Sequence, residues 1–316
     1  MTYAKNSLIE ASDYNTLATS YNNLWGVGLG SKGLGQTTTL STVQQLAKVT
    51  KTEWTNLANA IVNLGGQQGS VLTALPAFNT GDIITYVAGL QTNLTTLNSN
   101  AGWAQNQGSS NTTTTQTTTT WNNSLTFTQT ITFGSGDQAR YFFNSGGQIV
   151  IQPTVATSST DPGSVFFKNL AQICGSWVIS GEGGKIVGST YTPFTKIGGT
   201  ANPAAINTSL GYYGLTTNYQ QAVKIVYDGS FTGGTTGGGN YGTNSFISLS
   251  IKSNGAQGIN NDNGSVITVQ VVFDEMPNGL NVTGTSSVAC IIKPPSISYI
   301  KNTWGTVAVS GSVTGS

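Results

Sequence analysis

The spacing of apolar residues along this chain changes once, near residue 106. Before that point they recur every three or four positions, which places them on one face of an α-helix. Tyr14, Leu17, Ala18, Tyr21 and Leu24 make the first face, with Ser12 as the expected N-cap and Gly26 as the stop. Val43, Leu46 and Ala47, then Trp54, Leu57, Ala58, Ile61 and Leu64, make the second, which is expected to end at Gly65-Gly66. A third starts at Asp82 and runs Ile83, Val87, Leu90, Leu94 and Leu97. Its alternating steps of four and three are those of a coiled-coil seam, but they do not persist long enough to demand one. These five residues are either an amphipathic face packed on neighbouring helices or candidates for an assembly interface between copies.

From Asn106 to Thr120 the chain uses Gln, Gly, Ser, Asn and above all Thr, and such a tract cannot bury a core of its own. It reads as a linker or as an extended segment lying on a partner. Beyond it the period is two. Leu125, Phe127, Ile131 and Phe133 alternate with polar residues, and Gly134-Ser135-Gly136-Asp137 has the chemistry of a turn. Ala139–Asn144 and Gln148–Ile151 read as two strands joined by Ser145-Gly146-Gly147. Ser164 to Cys174 is the helical candidate in this half, capped by Ser164 and ended by Gly175. Strand patterns resume at Trp177–Ile179, Ala222–Tyr227, Phe246–Ile251, Val266–Phe273, Val288–Ile292 and Thr306–Val309. The expected fold is α+β: an N-terminal helical domain (1–105), a Thr-rich linker (106–120) and a mainly antiparallel β-sandwich domain (121–316). For 316 residues, one large β domain is the competing organisation.

Charge changes the functional picture. Only 7% of the residues are charged and the net charge is +1, where an ordinary soluble domain carries about 25% charged residues. With Arg140 the sole arginine and the lysines scattered singly, no basic stripe exists to neutralise a run of phosphates, so nucleic acid is not an expected partner. The chain has no His, which removes Ser-His-Asp and Cys-His nucleophile systems and His-ligated zinc. Cys174 and Cys290 read as buried small apolar residues. The opening residues lack an apolar signal core and no run of 18 apolar residues occurs, so synthesis in a cytoplasm without membrane insertion is expected.

The motifs that invite chemistry have plainer readings. Gly28-Leu29-Gly30-Ser31-Lys32-Gly33 has the glycine spacing of a dinucleotide turn, but a helical pattern precedes it where a strand is required, so a flexible interhelical loop is expected. Gly181-Glu182-Gly183-Gly184-Lys185 lacks the first glycine of a phosphate loop and reads as a turn. Asn260-Asn261-Asp262-Asn263-Gly264 lacks the bidentate Glu of a calcium loop and reads as a hairpin turn. Asp274-Glu275 would point to opposite faces of a strand, so they form no acid/base pair. Among the aromatic residues, Trp54 and Trp177 fall on inferred core faces. Trp103, Trp121 and Trp304 are free enough to be weighed as glycan contacts, with core or interface the favoured reading. No cofactor or metal is expected.

Three stretches carry a resemblance: Ala139–Gly147, Leu210-Gly211-Tyr212-Tyr213-Gly214-Leu215-Thr216-Thr217, and Asn244 through Ile251–Asn254 to Val269–Asp274. Gly284-Thr285 and Lys293-Pro294-Pro295 accompany them, as does the N-terminal Ile9–Asn15 opening followed by Trp25. Together they resemble virion structural proteins of tailed, contractile-tailed bacteriophages. Gly214, where an acid is commoner, and Lys293, where Arg is usual, depart from that pattern. The resemblance implies a non-enzymatic tail, neck or fibre subunit that resides in the virion, assembles as a homo-oligomer such as a trimer or ring, and contacts other virion proteins. A receptor-binding module for host surface glycan is the alternative, and a depolymerising glycosidase a more distant one.

Overall fold

Helix α1 (Ala11–Trp25) is capped two residues earlier than Ser12 would allow. Glu10 is the N-cap, its side chain taking the N3 amide while Asp13 accepts the Glu10 N–H at 2.8 Å. Two acids three residues apart thus satisfy both orphan donors, and Ser12 falls inside the first turn. Helix α2 (Lys51–Gln68) uses the same reciprocal arrangement between Thr50 and Glu53. It continues through Gly65 and Gly66 and stops at Gly69, which adopts φ 69°. Val43, Leu46 and Ala47 do not extend it. They lie in the irregular segment between α1 and α2, where Leu46 is 98% exposed at φ 68°. Helix α3 spans Val87–Ser99. The computed structural model describes residues 10–75, 77–78, 87–104, 107–187, 190–193, 196–197, 205–206, 210–226, 245–255, 263–275 and 281–315, the backbone alone between 184 and 206. Asp82 and Ile83 lie outside the described residues, as do Asn260–Asp262.

Strand β1 (Thr112–Trp121) and strand β2 (Ser124–Thr132) follow. The Thr-rich tract is therefore mostly a strand and not a linker: β-branched Thr suits a pleated surface, and β1 lies antiparallel against the later strand β12 (Val282–Lys293) from Thr112↔Ile292 to Trp121↔Val282. Helix α4 (Gly136–Asn144) occupies the stretch expected to be a turn and a strand. Ser135 caps it by accepting from the Gln138 amide, and Ala139, Arg140, Phe142 and Phe143 are buried at helical spacing. The short run Ala139–Asn144 satisfies both periods, and the cap decides between them.

Next come β3 (Gln148–Ala156), α5 (Pro162–Cys174) and β4 (Ser176–Ile179). Asp161, not Ser164, caps α5, accepting from the Ser164 amide at 2.9 Å, and Pro162 occupies the first helical position where its missing N–H costs nothing. The remaining strands are β5 (Gly184–Val187), β6 (Thr190–Pro193), β7 (Lys196–Ile197), β8 (Ala205–Ile206), β9 (Gln220–Val226), β10 (Phe246–Ser253), β11 (Val266–Asp274) and β13 (Ala308–Gly315). They form a five-stranded sheet, β1-β12-β3-β4-β7, and a six-stranded sheet, β13-β2-β11-β10-β9-β8, with β5-β6 a separate ribbon. Every pairing among them is antiparallel.

The period-two pattern sets the inner face of each sheet. Leu125, Phe127, Ile131, Ile267, Val269, Val271, Phe273, Ile247, Leu249 and Ile251 are buried on the larger sheet; Val288, Cys290, Ile292, Ile149, Ile151 and Trp177 are buried on the smaller. Gln129 is a buried polar residue on this inner face and donates to the Val288 carbonyl at 2.8 Å, tying one sheet to the other. The hydrophobic core continues without a break from the sandwich into the helices. The architecture is α+β: N-terminal helices followed by a sandwich of two antiparallel sheets.

Candidate functional site

The four residues Val87, Leu90, Leu94 and Leu97 are nearly fully buried, and α3 packs on α1 and α2 of its own chain. The seam is internal and gives no surface to a second copy. Trp121 and Trp304 are also core: Trp121 is 5% exposed, donates from Nε1 to Ser286 Oγ at 3.0 Å and meets Phe167 edge-on at 4.8 Å, while Trp304 is 4% exposed. Neither ring offers a face to a sugar. Trp103, on the turn after α3, is half-buried. Cys174 and Cys290 are both buried, and burial pushes the Cys290 thiol up to about 12.

The most elaborate polar structure joins the helical and β parts at Arg140, which is 2% exposed. It extends from α4 to the loop after α1. Its Nη1 donates to the Gly30 carbonyl at 3.0 Å and the Lys32 carbonyl at 3.3 Å, its Nη2 donates to Val27 at 3.2 Å, and Asp137 takes Nη2 at 2.6 Å and Nε at 3.0 Å. Burial opposes the guanidinium charge, but the Asp137 bond and charge outweigh it and hold the group above its usual pKa. One turn on, Asn144 donates to the carbonyls of Gly30 at 3.1 Å and Gly33 at 2.9 Å. The Tyr213 hydroxyl lies 2.7 Å from the Gly30 carbonyl and 2.6 Å from Asn144 Oδ1.

This overturns the flexible-loop reading of Gly28–Gly33. The loop turns its carbonyls inward onto a cation, the opposite polarity to a phosphate cradle, which presents N–H groups. Glycine is needed for it: a Cβ on Gly33, at φ 92°, would sit 2.1 Å from the Val27 carbonyl oxygen. The arrangement also brings together residues from Ala139–Gly147 and Leu210–Thr217. Phe143 of α4 stacks on Tyr212 at 4.5 Å, and Tyr212 contacts Tyr213 at 5.1 Å, inside a short 3-10 turn at Tyr212–Gly214. Sequence spacing could not reveal this, because the partners are far apart in the chain.

Beside this junction a cleft of about 720 Å³ lies between α1, the glycine loop and α3. Ser20, Asn23, Lys32, Gln91, Thr95 and Asn98 line it, over Leu24 and Leu94. Amides, hydroxyls and one ammonium group can hold a neutral polar ligand or an anion, but the lining contributes no carboxylate and hence no acid/base pair. Elsewhere, Glu182 is half-buried and desolvation raises its carboxyl, and no group of three or more metal-ligating side chains occurs among the described residues. No described helix is long and apolar enough to cross a membrane. Comparison of the chain with protein-family models, curated proteins and solved structures finds no match.

Proposed function

We propose that the chain is a non-enzymatic structural subunit of a bacteriophage virion, a tail, neck or fibre component that acts by assembling with other copies and other virion proteins. The observation that carries this reading is where the exposed apolar side chains gather. Val27, Leu29, Leu46, Val62 and Val71, between 54% and 98% exposed, all belong to the helical part, and Ile297 and Tyr299 join them on the segment that returns to α2, where Tyr299 covers Gly66. Among the described residues only Tyr219 is comparable in the sandwich. Large apolar side chains left in water on one part of a chain suit a surface that docks on a partner. The buried Arg140 junction supports the same reading, since it ties the loop after α1 to α4 of the β part.

The test is incorporation. Antibody raised against the chain should label purified particles, and a Val62→Asp/Val71→Asp variant supplied in place of the native chain should fold yet be missing from them. Particles that carry no label at all would overturn the reading.

A further inference from the structure

On one side the outermost described strand of each sheet is β7 or β8. On the other side each ends in a long one: β1 with 10 residues and β13 with 8. Neither contains Asp, Glu, Lys, Arg or Pro, and β13 has no register shift, whereas β1 has one, between Thr118 and Thr120. Among the described residues β1 pairs only with β12, and β13 only with β2. The two open edges also lie side by side. A Cβ on Gly311 of β13 would come within 3.1 Å of the Gln116 side chain of β1, so that pair of edges closes one flank of the sandwich.

We infer that this flank is the contact between two copies of the chain, joined edge to edge. A two-fold axis perpendicular to the sheets sets β1 antiparallel to β1 of a second copy and, by the same operation, β13 antiparallel to β13. Both sheets then continue across the dimer, and the outward N–H and C=O groups along the regular stretches of the two strands find partners. A second copy is the occupant that the uncharged edges suit: an isologous antiparallel contact sets the residues nearest the axis against their own equivalents, so a charge there would repel itself, and neither strand carries one. The size is adequate. Strands of this length run about 30 Å at ~3.3 Å per residue, and two layers ~10 Å apart with their side chains are about 20 Å deep. That covers roughly 600 Å² on each copy, about 1,200 Å² in total, at the lower end of specific interfaces.

This deepens the assembly reading above and rests on it only in expecting copies to associate. Sedimentation of the full chain at micromolar concentration should give the mass of two copies, and amides of Thr112–Trp121 and Ala308–Gly315 should exchange more slowly as concentration rises. Thr115 and Ser312 are exposed near the centres of the two strands. Thr115→Lys/Ser312→Lys should raise the dimer Kd about 100-fold or more by setting like charges together. Thr115→Glu/Ser312→Glu should do the same, and mixing the two variants should restore the dimer. A monomeric native chain, a dimer indifferent to the substitutions, or concentration-independent exchange in both strands would overturn the inference. A monomer that still labels particles would sink this contact and leave the virion assignment standing.

Discussion

Replacing Arg140 by Met removes the guanidinium while keeping much of the stem that fills the space between α4 and the glycine loop. The lost hydrogen bonds are not equivalent. The Gly30 carbonyl keeps donors from Asn144 and Tyr213. Asp137, whose side chain is 33% exposed, can turn to water. The Val27 and Lys32 carbonyls lose the Arg140 donors at 3.2 and 3.3 Å, in part-buried surroundings. A stripped buried polar group costs about 1–3 kcal/mol, and partial burial puts these two at the low end. Adding the lost charge-assisted bond, and subtracting the relief of no longer burying a cation, gives an expected loss of about 2–3 kcal/mol. For a chain of this size that corresponds to a fall in Tm of about 4 °C. Arg140→Lys should lose part of this, because an ammonium group cannot reproduce the planar fork. Thermal and urea unfolding at neutral pH measure the loss, and hydrogen exchange locates it: the Leu34, Gly35 and Gln36 amides, bonded to the Trp25 and Gly26 carbonyls, should exchange faster. If Arg140→Met stays within about 0.5 kcal/mol of the native chain, as an ordinary surface substitution would, and those amides are unchanged, Arg140 does not pin the loop and the junction argument fails.

Gly33→Ala should be at least as damaging, about 2 kcal/mol or more, because the positive φ and the 2.1 Å approach to the Val27 carbonyl both oppose a side chain; calorimetry checks it. Asp161→Ala should cost about 1 kcal/mol of stability at pH 7 through loss of the α5 cap. Partial burial raises the Asp161 carboxyl, but bonds from Ser159, Ser164 and Thr283 outweigh it and leave the group below its usual pKa, so its contribution is complete above the unfolded value and disappears as pH falls through the folded one. The difference between native chain and variant should therefore shrink in acid, as read from paired urea titrations. Cys174 and Cys290 should resist a soluble thiol reagent in the native chain at pH 8 and both react once it is unfolded; rapid native labelling would contradict their burial.

Some of this molecule is legible in its sequence because the relevant physics is local or periodic. Tyr14, Leu17, Tyr21 and Leu24 repeat with the pitch of a helix, Val266–Phe273 with the pleat of a strand, and each period leads directly to the buried face it predicts. The missing charge was equally plain, and so was the burial of both cysteines. What spacing could not decide were matters of partnership. Whether Leu90 and Leu94 face another copy or α1 and α2 depends on how the helices fold back. Whether Thr112–Thr120 is a tether or a strand depends on β12, far along the chain, supplying the hydrogen bonds that a Thr-rich segment cannot make with itself. Ala139–Asn144 is too short for either period to win, and the Ser135 cap and the carbonyls waiting for Arg140 settle it as a helix. For Trp121 and Trp304 the sequence favours core or interface without deciding it, and the fold buries both, because burial is a property of what surrounds a residue and not of its neighbours in the chain. The glycine loop shows the limit most clearly: the sequence, with a helix where a dinucleotide turn needs a strand, leads to a flexible loop, and only the tertiary structure, by bringing a cation to its carbonyls, determines that it is held and which way its dipoles point.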